Sequence, residues 1–454
     1  MRLSVIGCGY LGAVHAAAMA SIGHEVVGID TDVEKIRLLA DGRAPFFEPG
    51  LQDLLTSGID SGLLRFTTEI AAVGGCTIHF VAVGTPQVHD GHSADLSYVD
   101  AAMSAVLPHV RPGDVVVGKS TVPVGTAARL EPQVRAAGAT LVWNPEFLRE
   151  GWAVQDTIQP DRIVVGLTRR NASSEAREDN ALDILREVYH PSVVAGTPFI
   201  VTDYATAELV KVSANAFLAT KISFINAMAE IAEATGADVT QLAEALGHDE
   251  RIGRRFLGAG LGFGGGCLPK DIRAFRARAS ELDCADAVAF LREVDAINLR
   301  RRDRVVRLVT EAAEGDLAHT NVAVLGASFK PHSDDVRDSP ALDVAVRLQL
   351  AGATVVVTDP VALPNAKRAC PQLTFEPDLH EAIHDADVLV VATEWDEYRS
   401  GLHPDTAAQL ARGRVVIDAR NCLNAQAWHA AGWLYHGMGK PSLGMRQRRA
   451  AHLV

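Results

Sequence analysis

The segment from residue 1 to residue 30 constrains the fold more than any other part of the sequence. An apolar run, Arg2–Ile6, leads directly into the glycine pattern Gly7-Cys8-Gly9-Tyr10-Leu11-Gly12, which opens an Ala-rich stretch of helical character. A second apolar run, Glu25–Ile29, ends at Asp30. Glycines at this spacing permit a tight strand-to-helix turn whose backbone N–H groups can approach a pyrophosphate. The segment therefore predicts a β-α-β unit of the Rossmann type.

The acid at the end of the second run indicates which dinucleotide this unit would bind. A carboxylate at Asp30 can accept a hydrogen bond from the ribose 2′-OH, and it would repel the 2′-phosphate of NADP, so NAD is favoured. The alternative is a glycine-rich turn in which Asp30 only caps a helix. We prefer the first interpretation because strand, turn, helix and acid follow one another in the required order.

Apolar runs and helical stretches alternate over residues 1–200. Runs rich in Val and Ile at Thr77–Val83, Asp114–Gly118 and Thr140–Trp143 predict three more buried strands. The sequence therefore predicts an α/β domain with a parallel, doubly wound sheet.

The character of the chain changes near residue 201 and again near residue 316. Ala205–Ala234 and Ala285–Glu314 have helical patterns, so residues 201–315 are predicted to be an all-helical region that also holds the cysteine loop described below. Over residues 316–440 the alternation returns, and Gly326 and Asp359 echo the first glycine turn and its acid. A second, Rossmann-like domain is expected there, and residues 441–454 are expected to form a flexible tail. The strands predicted in this second domain are Asn321–Leu325, Thr354–Thr358, Val388–Ala392 and Arg414–Ile417.

Charge and cysteine content exclude several classes of protein. The formal net charge of −13 argues against a surface for the phosphate backbone of DNA or RNA. The six cysteines are scattered without a C-x-x-C pair, which is typical of neither a disulfide framework nor a zinc site. We expect no metal because the histidines do not cluster, and no membrane partner because no apolar run could span a bilayer. The scattered cysteines favour a reducing compartment, the cytoplasm.

The segment Gly260–Asp271 is the most unusual stretch of the chain, with five glycines between residues 260 and 266. Glycines at this density form neither a stable helix nor a good strand, and they let backbone approach a ligand closely. Cys267 follows them, and with Lys270 as a nearby cation its thiol is a candidate nucleophile. From these residues alone, a small buried cysteine is an equally good interpretation. The other five cysteines are expected to be buried: Cys8, Cys76, Cys284, Cys370 and Cys422.

Further polar clusters stand where ligands commonly bind. Lys119–Thr126 and Trp143–Gly151 each follow a predicted strand, at the sheet edge where α/β proteins bind ligands. The alternative for the second cluster is a helix N-terminal turn with stabilising carboxylates. On the predicted central helix, Lys211 and Asn215 share one face and need partners there; a plain salt bridge from Glu208 to Lys211 is the alternative.

These motifs together resemble the UDP-glucose/GDP-mannose dehydrogenase family over nearly the whole chain, in the family's order. The matching motifs are the G-x-G-Y-x-G start, G-x-A-P-F-x-E-P-G-L at Gly42–Leu51, S-T-V-P-V-G-T, N-P-E-F-L-R-E-G, the Lys211/Asn215 helix, G-F-G-G-G-C-L-P-K-D, and F-K-P-x-x-D-D-x-R-D-S-P at Phe329–Pro340. The resemblance implies an NAD domain, a helical dimerising core and a UDP-sugar domain, hence a homodimer or a higher homo-oligomer.

The resemblance also implies a reaction, two successive oxidations at C6 of a nucleotide sugar that consume two NAD. UDP-glucose is the expected substrate and UDP-glucuronate the product. Lys211, Asn215 and Asp271 match the residues that serve as base and stabilise the developing oxyanion. Cys267 matches the nucleophile that holds the aldehyde as a thiohemiacetal and then as a thioester.

The remaining roles are carried over position by position. Glu146 matches the acid–base residue of thioester hydrolysis, and Thr121 and Asp271 would position the water. The positions that match cofactor contacts are Gly7, Gly9, Tyr10, Leu11, Gly12, Asp30, Lys35, Thr85, Thr121, Glu150, Lys270 and Arg337. Those that match nucleotide-sugar contacts are Glu146, Phe147, Leu148, Arg149, Lys211, Asn215, Gly258, Phe263, Gly264, Phe329, Lys330 and Arg420, with Arg251 reaching the sugar site of a neighbouring subunit.

The chain departs from the family pattern at three places, and rival functions stay open. Gly266 stands where Ser is frequent, Leu268 where Phe is common, and Ala419 where Gly is usual.

GDP-mannose or a UDP-N-acetylhexosamine is the nearest alternative substrate, since pocket shape sets the choice of sugar. A 3-hydroxyacid dehydrogenase and a non-catalytic nucleotide-sugar sensor are further rivals, but neither needs the cysteine loop.

Overall fold

A computed structural model describes residues 1–89, 91–168 and 175–444. The chain forms two compact units, one made of Met1–Asn215 with Arg273–Ala287 and the other of Ala216–Ile272 with the chain from Val288 onwards. Of the predicted tail, residues 445–454 lie outside the described residues, whereas Leu443 pairs with Tyr435 in an antiparallel bridge.

The first unit is built on an eight-stranded sheet in the order β3-β2-β1-β4-β5-β6-β7-β8. Its strands are β1 (Arg2–Ile6), β2 (Glu25–Ile29), β3 (Leu64–Thr67), β4 (Ile78–Val81), β5 (Val115–Gly118), β6 (Thr140–Trp143), β7 (Ile163–Leu167) and β8 (Phe199–Asp203). Its helices are α1 (Tyr10–Ser21), α2 (Val33–Ala40), α3 (Leu51–Asp60), α4 (Ser97–Val106), α5 (Thr126–Ala136), α6 (Ala153–Ile158), α7 (Glu175–Val188) and α8 (His190–Val194), with 3-10 turns at Ile70–Val73 and Leu107–His109.

Strands β1 to β6 are mutually parallel, which confirms the predicted doubly wound sheet. The five predicted strands are all present, because buried Val and Ile on both faces mark them clearly. Three strands were not predicted. The pair β7 and β8 continues the sheet antiparallel to β6 through a contact of Trp143 with Gly166, outside the β-α alternation, and β8 is an exposed edge strand.

Four helices follow: α9 (Tyr204–Thr235), α10 (Val239–Gly247), α11 (Leu268–Glu281) and α12 (Phe290–Ala312). The first long helix agrees with the prediction within one residue at each end. The second predicted helix begins later than expected, because Ala285–Val288 forms a separate 3-10 turn before α12. Within the described ranges, no helix combines the length and the apolar character that crossing a membrane requires.

The second unit contains a six-stranded sheet, parallel throughout, in the order β11-β10-β9-β12-β13-β14. Its strands are β9 (Asn321–Leu325), β10 (Thr354–Thr358), β11 (Thr374–Phe375), β12 (Val388–Val391), β13 (Val415–Asp418) and β14 (Leu434–Gly437). Its remaining helices are α13 (Pro340–Leu350), α14 (Leu363–Ala369), α15 (Leu379–Ile383), α16 (Pro404–Leu410) and α17 (Ala425–Ala430), with a π-helical turn at Glu397–Gly401. The four predicted strands are confirmed, and the short edge strands β11 and β14 were missed.

Asp359 in the second unit occupies the place that Asp30 occupies in the first. Both follow the second strand of their sheet and accept a backbone N–H from the preceding glycine turn, at 2.8 Å in each case. Asp359 is buried, and six donors surround its carboxylate within 3.1 Å: the backbone N–H groups of Ala327, Ser328, Val361 and Ala362, the Ser328 hydroxyl and the Trp395 indole.

Asp359→Asn is expected to lower the free energy of unfolding by about 1.5–3 kcal/mol. The amide would place its own N–H groups against backbone N–H groups that now donate to the carboxylate. Urea unfolding of the full chain measures the change. Asp396→Asn, which removes an exposed carboxylate paired with Arg399, is the control and should change stability little. Equal losses in the two variants would contradict the role assigned to Asp359.

Candidate active site

The glycine turn after β1 has the geometry that dinucleotide binding requires. Gly7 has φ +90°, and a Cβ built on Gly12 would lie 1.8 Å from the Gly7 carbonyl oxygen, so α1 can pack against the turn only without a side chain there. Gly9 differs, because a Cβ on it would meet no protein atom within 4 Å and its φ is −68°. The protein itself does not require glycine at this position, whereas a pyrophosphate approaching the N-terminus of α1 does.

Asp30 lies directly beside this turn. Its Oδ2 accepts hydrogen bonds from the Cys8 N–H at 2.8 Å and from Lys35 Nζ at 2.9 Å, and its Oδ1 accepts the Asp32 N–H at 3.0 Å. A carboxylate has about four acceptor positions. The three bonds leave capacity for a ribose hydroxyl, which Asp359, with six donors, does not have. The structure therefore brings the predicted cofactor residues Asp30 and Lys35 together.

The loops after β4 and β5 are joined to each other at the carboxyl edge of the sheet. The Thr85 hydroxyl donates to the Thr121 carbonyl at 2.7 Å, and the Ser120 hydroxyl donates to the Val83 carbonyl at 2.6 Å. Thr85 and Thr121, two predicted site residues, are thus fixed relative to each other beside the glycine turn. Glu150, another predicted cofactor contact, is buried in the loop after β6.

Glu146 and Lys211 form an ion pair in the first unit. Lys211 Nζ lies 3.0 Å from Glu146 Oε1, and both side chains are largely buried. Glu146 Oε2 also accepts the Leu148 N–H at 2.7 Å, so backbone and charge both orient the carboxylate. The centre of the Phe147 ring lies 5.7 Å from Lys211 Nζ. Asn215, one turn further along α9, is buried as well.

Glu208, the alternative partner considered for Lys211, binds elsewhere. Its carboxylate accepts the backbone N–H groups of Gly125 and Ala127, each at 2.7 Å, at the start of α5. Burial raises its pKa, and these N–H donors oppose the rise. Glu208 therefore caps the helix that follows the S-T-V-P-V-G-T motif. The carboxylate that pairs with Lys211 is that of Glu146.

Lys119 is a buried cation at the start of the Lys119–Thr126 cluster, and no role was predicted for it. Its Nζ donates to Asn144 Oδ1 at 2.9 Å and to the Tyr189 hydroxyl at 3.2 Å. Burial lowers the pKa of Lys119 to about 8, and the negative charge of Glu146 opposes this shift. Asn144 in turn donates to the Val164 carbonyl at 2.7 Å, so the network fixes the turn that carries Glu146. A lysine directly after an all-apolar strand was the available sequence signal.

Cys267 lies immediately before α11 in the second unit, with its side chain exposed. Its carbonyl accepts the Asp271 N–H at 2.9 Å, so the cysteine stands at the N-terminus of the helix, where negative charge on sulfur is favoured. Lys270, expected to act on the thiol, places its Nζ 2.6 Å from Asp271 Oδ1. The nearby cation is therefore already paired with the buried Asp271.

The glycines of the cysteine loop are required by packing within the chain itself. A Cβ on Gly264 would lie 2.3 Å from the Asp338 carbonyl oxygen, and one on Gly265 would lie 2.8 Å from the Phe329 ring. The buried Asn298 side chain accepts the Phe263 N–H at 2.7 Å and donates to its carbonyl at 2.9 Å. The loop is thus packed against the segment 329–338.

Arg420 and several other predicted sugar contacts belong to the same unit. Arg420 donates to the carbonyls of Gly262 at 2.9 Å and Phe329 at 3.1 Å, so it holds the loop and the segment 329–338 together. Lys330 Nζ lies 5.4 Å from the Phe329 ring centre. The predicted sugar contact Arg251 is exposed and pairs with Asp249, and Gly258 adjoins open space. Arg337, which was predicted to contact the cofactor, pairs with Asp335 in this unit.

One cysteine prediction was wrong. Cys284 is exposed, because it lies in the turn that follows the end of α11. Cys8 and Cys76 are buried as expected, and Cys370 and Cys422 are partly buried. Over the ranges that the structure describes, His, Cys, Asp and Glu side chains form no group of three or more that could hold a metal ion.

Comparison with known proteins agrees with an NAD-binding and a nucleotide-sugar-binding domain in one dehydrogenase. Residues 1–193, 205–300 and 323–425 match the NAD binding, central and UDP binding domains of the UDP-glucose/GDP-mannose dehydrogenase family. The chain belongs to this family, which confirms the resemblance, the fold class and NAD as cofactor.

Relatives match along nearly the full length. UDP-glucose 6-dehydrogenase of Rhizobium meliloti is 42% identical over 97% of this chain and 100% of its own, and UDP-glucose 6-dehydrogenase TuaD of Bacillus subtilis is 39% identical over 97% and 94%. The structure of a UDP-glucose dehydrogenase from Pyrobaculum islandicum matches with a TM-score of 0.85 at 38% identity, covering 97% of this chain and 98% of that one.

The buried ammonium of Lys119 should make stability depend on pH. Its pKa is about 8 in the folded chain, against 10.5 for an ordinary lysine, so the charge destabilises the fold below pH 8 and this penalty is relieved as the pH rises toward 10.5. Between pH 7 and pH 9.5 the wild type should gain about 2 kcal/mol over Lys119→Met in free energy of unfolding. Lys367→Met, at an exposed helix position, is the control. A pH-independent difference would contradict the assignment.

Proposed function

We propose that the chain is an NAD-dependent UDP-glucose 6-dehydrogenase that oxidises the C6 alcohol to a carboxylate and yields UDP-glucuronate. The observation that carries the proposal is the exposed Cys267 thiol at the start of α11, four residues before the buried Asp271. A two-electron dehydrogenase has no use for such a thiol, whereas a four-electron oxidation needs a nucleophile to hold the aldehyde. Residues 1–200 form the NAD domain, 201–315 the central region and 316–440 the UDP-sugar domain in this proposal.

Each oxidation removes a hydride from C6, and NAD, when bound, accepts it. Lys211, Asn215 and Asp271 take the proton of the C6 hydroxyl through a water and stabilise the alkoxide. The Cys267 thiolate then adds to the aldehyde carbon and gives a thiohemiacetal, which becomes a thioester on loss of the second hydride and the hydroxyl proton. Water then attacks the thioester carbon and the bond between C6 and the Cys267 sulfur breaks. The Cys267 thiolate is regenerated, and the C6 carboxylate is released as the product.

Glu146 takes the proton of the attacking water in this proposal, and Thr121 and Asp271 position that water. The contact with Lys211 and the Leu148 N–H supports this role, because a base must be oriented before it can act. The choice of UDP-glucose rests on relatives: proteins named for it are 36–42% identical to this chain, whereas structures named for other nucleotide sugars are 24–29% identical.

A homodimer is proposed from an apolar stripe on α9. Phe217, Phe224 and Ile231 are spaced seven residues apart, on one face of the helix, and are 67%, 48% and 55% exposed. Large exposed apolar side chains in such a row mark a protein interface. Arg251, whose side chain is 88% exposed, would contribute to the sugar site of the partner subunit. The six free cysteines support a reducing compartment, the cytoplasm, as the location.

The number of NADH released per UDP-glucose at limiting substrate tests the reaction. The wild type should release two, and Cys267→Ser should lower kcat by a factor of about 100 or more, because hydroxyl replaces the thiolate in the covalent step. Cys284→Ser is the matched control, since it removes another exposed thiol and should leave turnover unchanged. One NADH, unaffected by Cys267→Ser, would contradict the mechanism. Two NADH with GDP-mannose or a UDP-N-acetylhexosamine, and none with UDP-glucose, would overturn the substrate.

Phe224→Glu should convert the dimer to a monomer, because it places a charge in the apolar stripe. Sedimentation velocity measures the mass in solution. Val194→Glu is the control, as it makes the same change at another exposed apolar residue that lies on α8 and is not part of the stripe. A monomeric wild type, or a dimer that Phe224→Glu leaves intact, would contradict the proposed interface.

A further inference from the structure

The motif Gly42–Leu51 has no role in the proposed reaction, yet it holds a buried carboxylate. It connects α2 to α3, and Gln52 fixes it by accepting the Ala44 N–H at 3.1 Å and donating to the Gly42 carbonyl. Glu48, within the motif, is only 5% exposed. A carboxylate is buried at high energetic cost unless donors surround it, so its partners indicate what it does.

Glu48 joins two segments that are far apart in the sequence. Its Oε2 accepts the Gly151 N–H at 2.6 Å and its Oε1 accepts the Ala153 N–H at 2.7 Å, at the start of α6. The Tyr10 hydroxyl donates to the same Oε2. The Gly151 N–H also lies 3.1 Å from the Tyr10 oxygen, so Tyr10, Glu48 and Gly151 form a closed ring of hydrogen bonds.

The Tyr10 hydroxyl is held as a proton donor in this ring. Burial raises its pKa, and the negative charges of Glu48 and Glu150 raise it further. The Tyr10 ring packs against Phe46, with 4.7 Å between the ring centres, so two residues of the same motif hold this side chain. Any displacement of Tyr10 therefore acts directly on Glu48.

The two segments that Glu48 joins are those assigned to the two substrates. Tyr10 is the first residue of α1, directly after the glycine turn that binds the dinucleotide. Gly151 follows the loop 146–150, which carries the sugar contacts and the cofactor contact Glu150. Arg149 in that loop is tied to α6, since Asp156 accepts its backbone N–H at 2.8 Å and its guanidinium at 2.5 Å.

We propose that Glu48 is a positioning residue that couples binding of the dinucleotide to binding of the nucleotide sugar. Closure of α1 on a pyrophosphate fixes Tyr10, Tyr10 fixes the Glu48 carboxylate, and the carboxylate fixes Gly151 and the start of α6, hence the loop that contacts the sugar. The inference rests on the proposed function, because that function assigns the loop to UDP-glucose.

Two substitutions separate this coupling from general support of the fold. Glu48→Gln leaves one acceptor oxygen where three donors converge, so at least one of them faces an amide N–H. Tyr10→Phe removes only the hydroxyl, and it keeps the ring on Phe46 and both backbone bonds of Glu48. Glu25→Gln is the matched control, since Glu25 is exposed at the amino end of β2, opposite the edge that binds ligands.

The coupling is measured with NADH and UDP-glucose, a pair that does not react, from the fluorescence of bound NADH. The coupling factor is the Kd of NADH alone divided by its Kd at saturating UDP-glucose. We expect a factor of about 5 or more in the wild type and in Glu25→Gln, and about 1–2 in Glu48→Gln and Tyr10→Phe. Reciprocity requires the same factor for UDP-glucose affinity with and without NADH.

The outcomes discriminate between the two proposals. A residue that only supports the fold weakens both ligands and leaves the coupling factor unchanged, so unchanged coupling in the variants overturns the inference. A wild-type factor of 1 overturns it as well. If Glu48→Gln does not fold, Tyr10→Phe decides alone. Failure of the wild type to oxidise UDP-glucose refutes the proposed function, whereas oxidation with two NADH and unaltered coupling refutes only the role of Glu48.

Discussion

Carboxylates that are buried or largely buried accept backbone N–H groups and hold the loops of both units in place. A loop that leaves the carboxyl end of a parallel strand carries N–H groups that no strand ladder can bind, and a buried N–H without an acceptor is strongly destabilising. Asp30, Glu48, Glu208 and Asp359 supply acceptors at four such places. These loops are therefore held by charge-assisted hydrogen bonds in addition to the apolar contacts that residues such as Val122 and Phe147 make with the core.

The two sheets show how one arrangement can serve two purposes. Asp30 retains acceptor capacity beside a glycine turn whose Gly9 is open to a ligand, and so it suits a ribose. Asp359 binds six donors, among them the Trp395 indole, and it has no capacity left. The second sheet thus keeps the topology and the glycine turn of a dinucleotide-binding fold. The carboxylate that would bind a ribose hydroxyl at this place instead accepts hydrogen bonds from within the protein.

The sequence predicted what depends on local pattern. Continuous runs of Val and Ile identified most of the buried strands, because a strand covered on both faces has a nearly uniform composition. The run Ile163–Leu167 has the same composition and is buried throughout, yet it was not predicted as a strand. Phe199–Asp203 was also missed, although it begins with three apolar residues, and the exposure of Cys284 depends on where α11 ends. The candidate site residues were predicted from motifs, but their partners were not. The ion pair of Lys211 with Glu146 and the hydrogen bond from Lys119 to Asn144 follow from tertiary packing alone.

The glycines of the cysteine loop have a consequence for how such a chain can diversify. Gly264 and Gly265 pack against Asp338 and Phe329 with no room for a Cβ, so the shape of the loop is complementary to that of the segment 329–338. A side chain at Gly264 would meet the Asp338 carbonyl oxygen, which no substitution in the opposite segment removes, and Gly265 has φ +82°, which side chains rarely adopt. Variation at these two positions is therefore limited from within the unit, and a library that varies Gly264 or Gly265 is expected to sample mostly chains in which the loop cannot adopt this conformation.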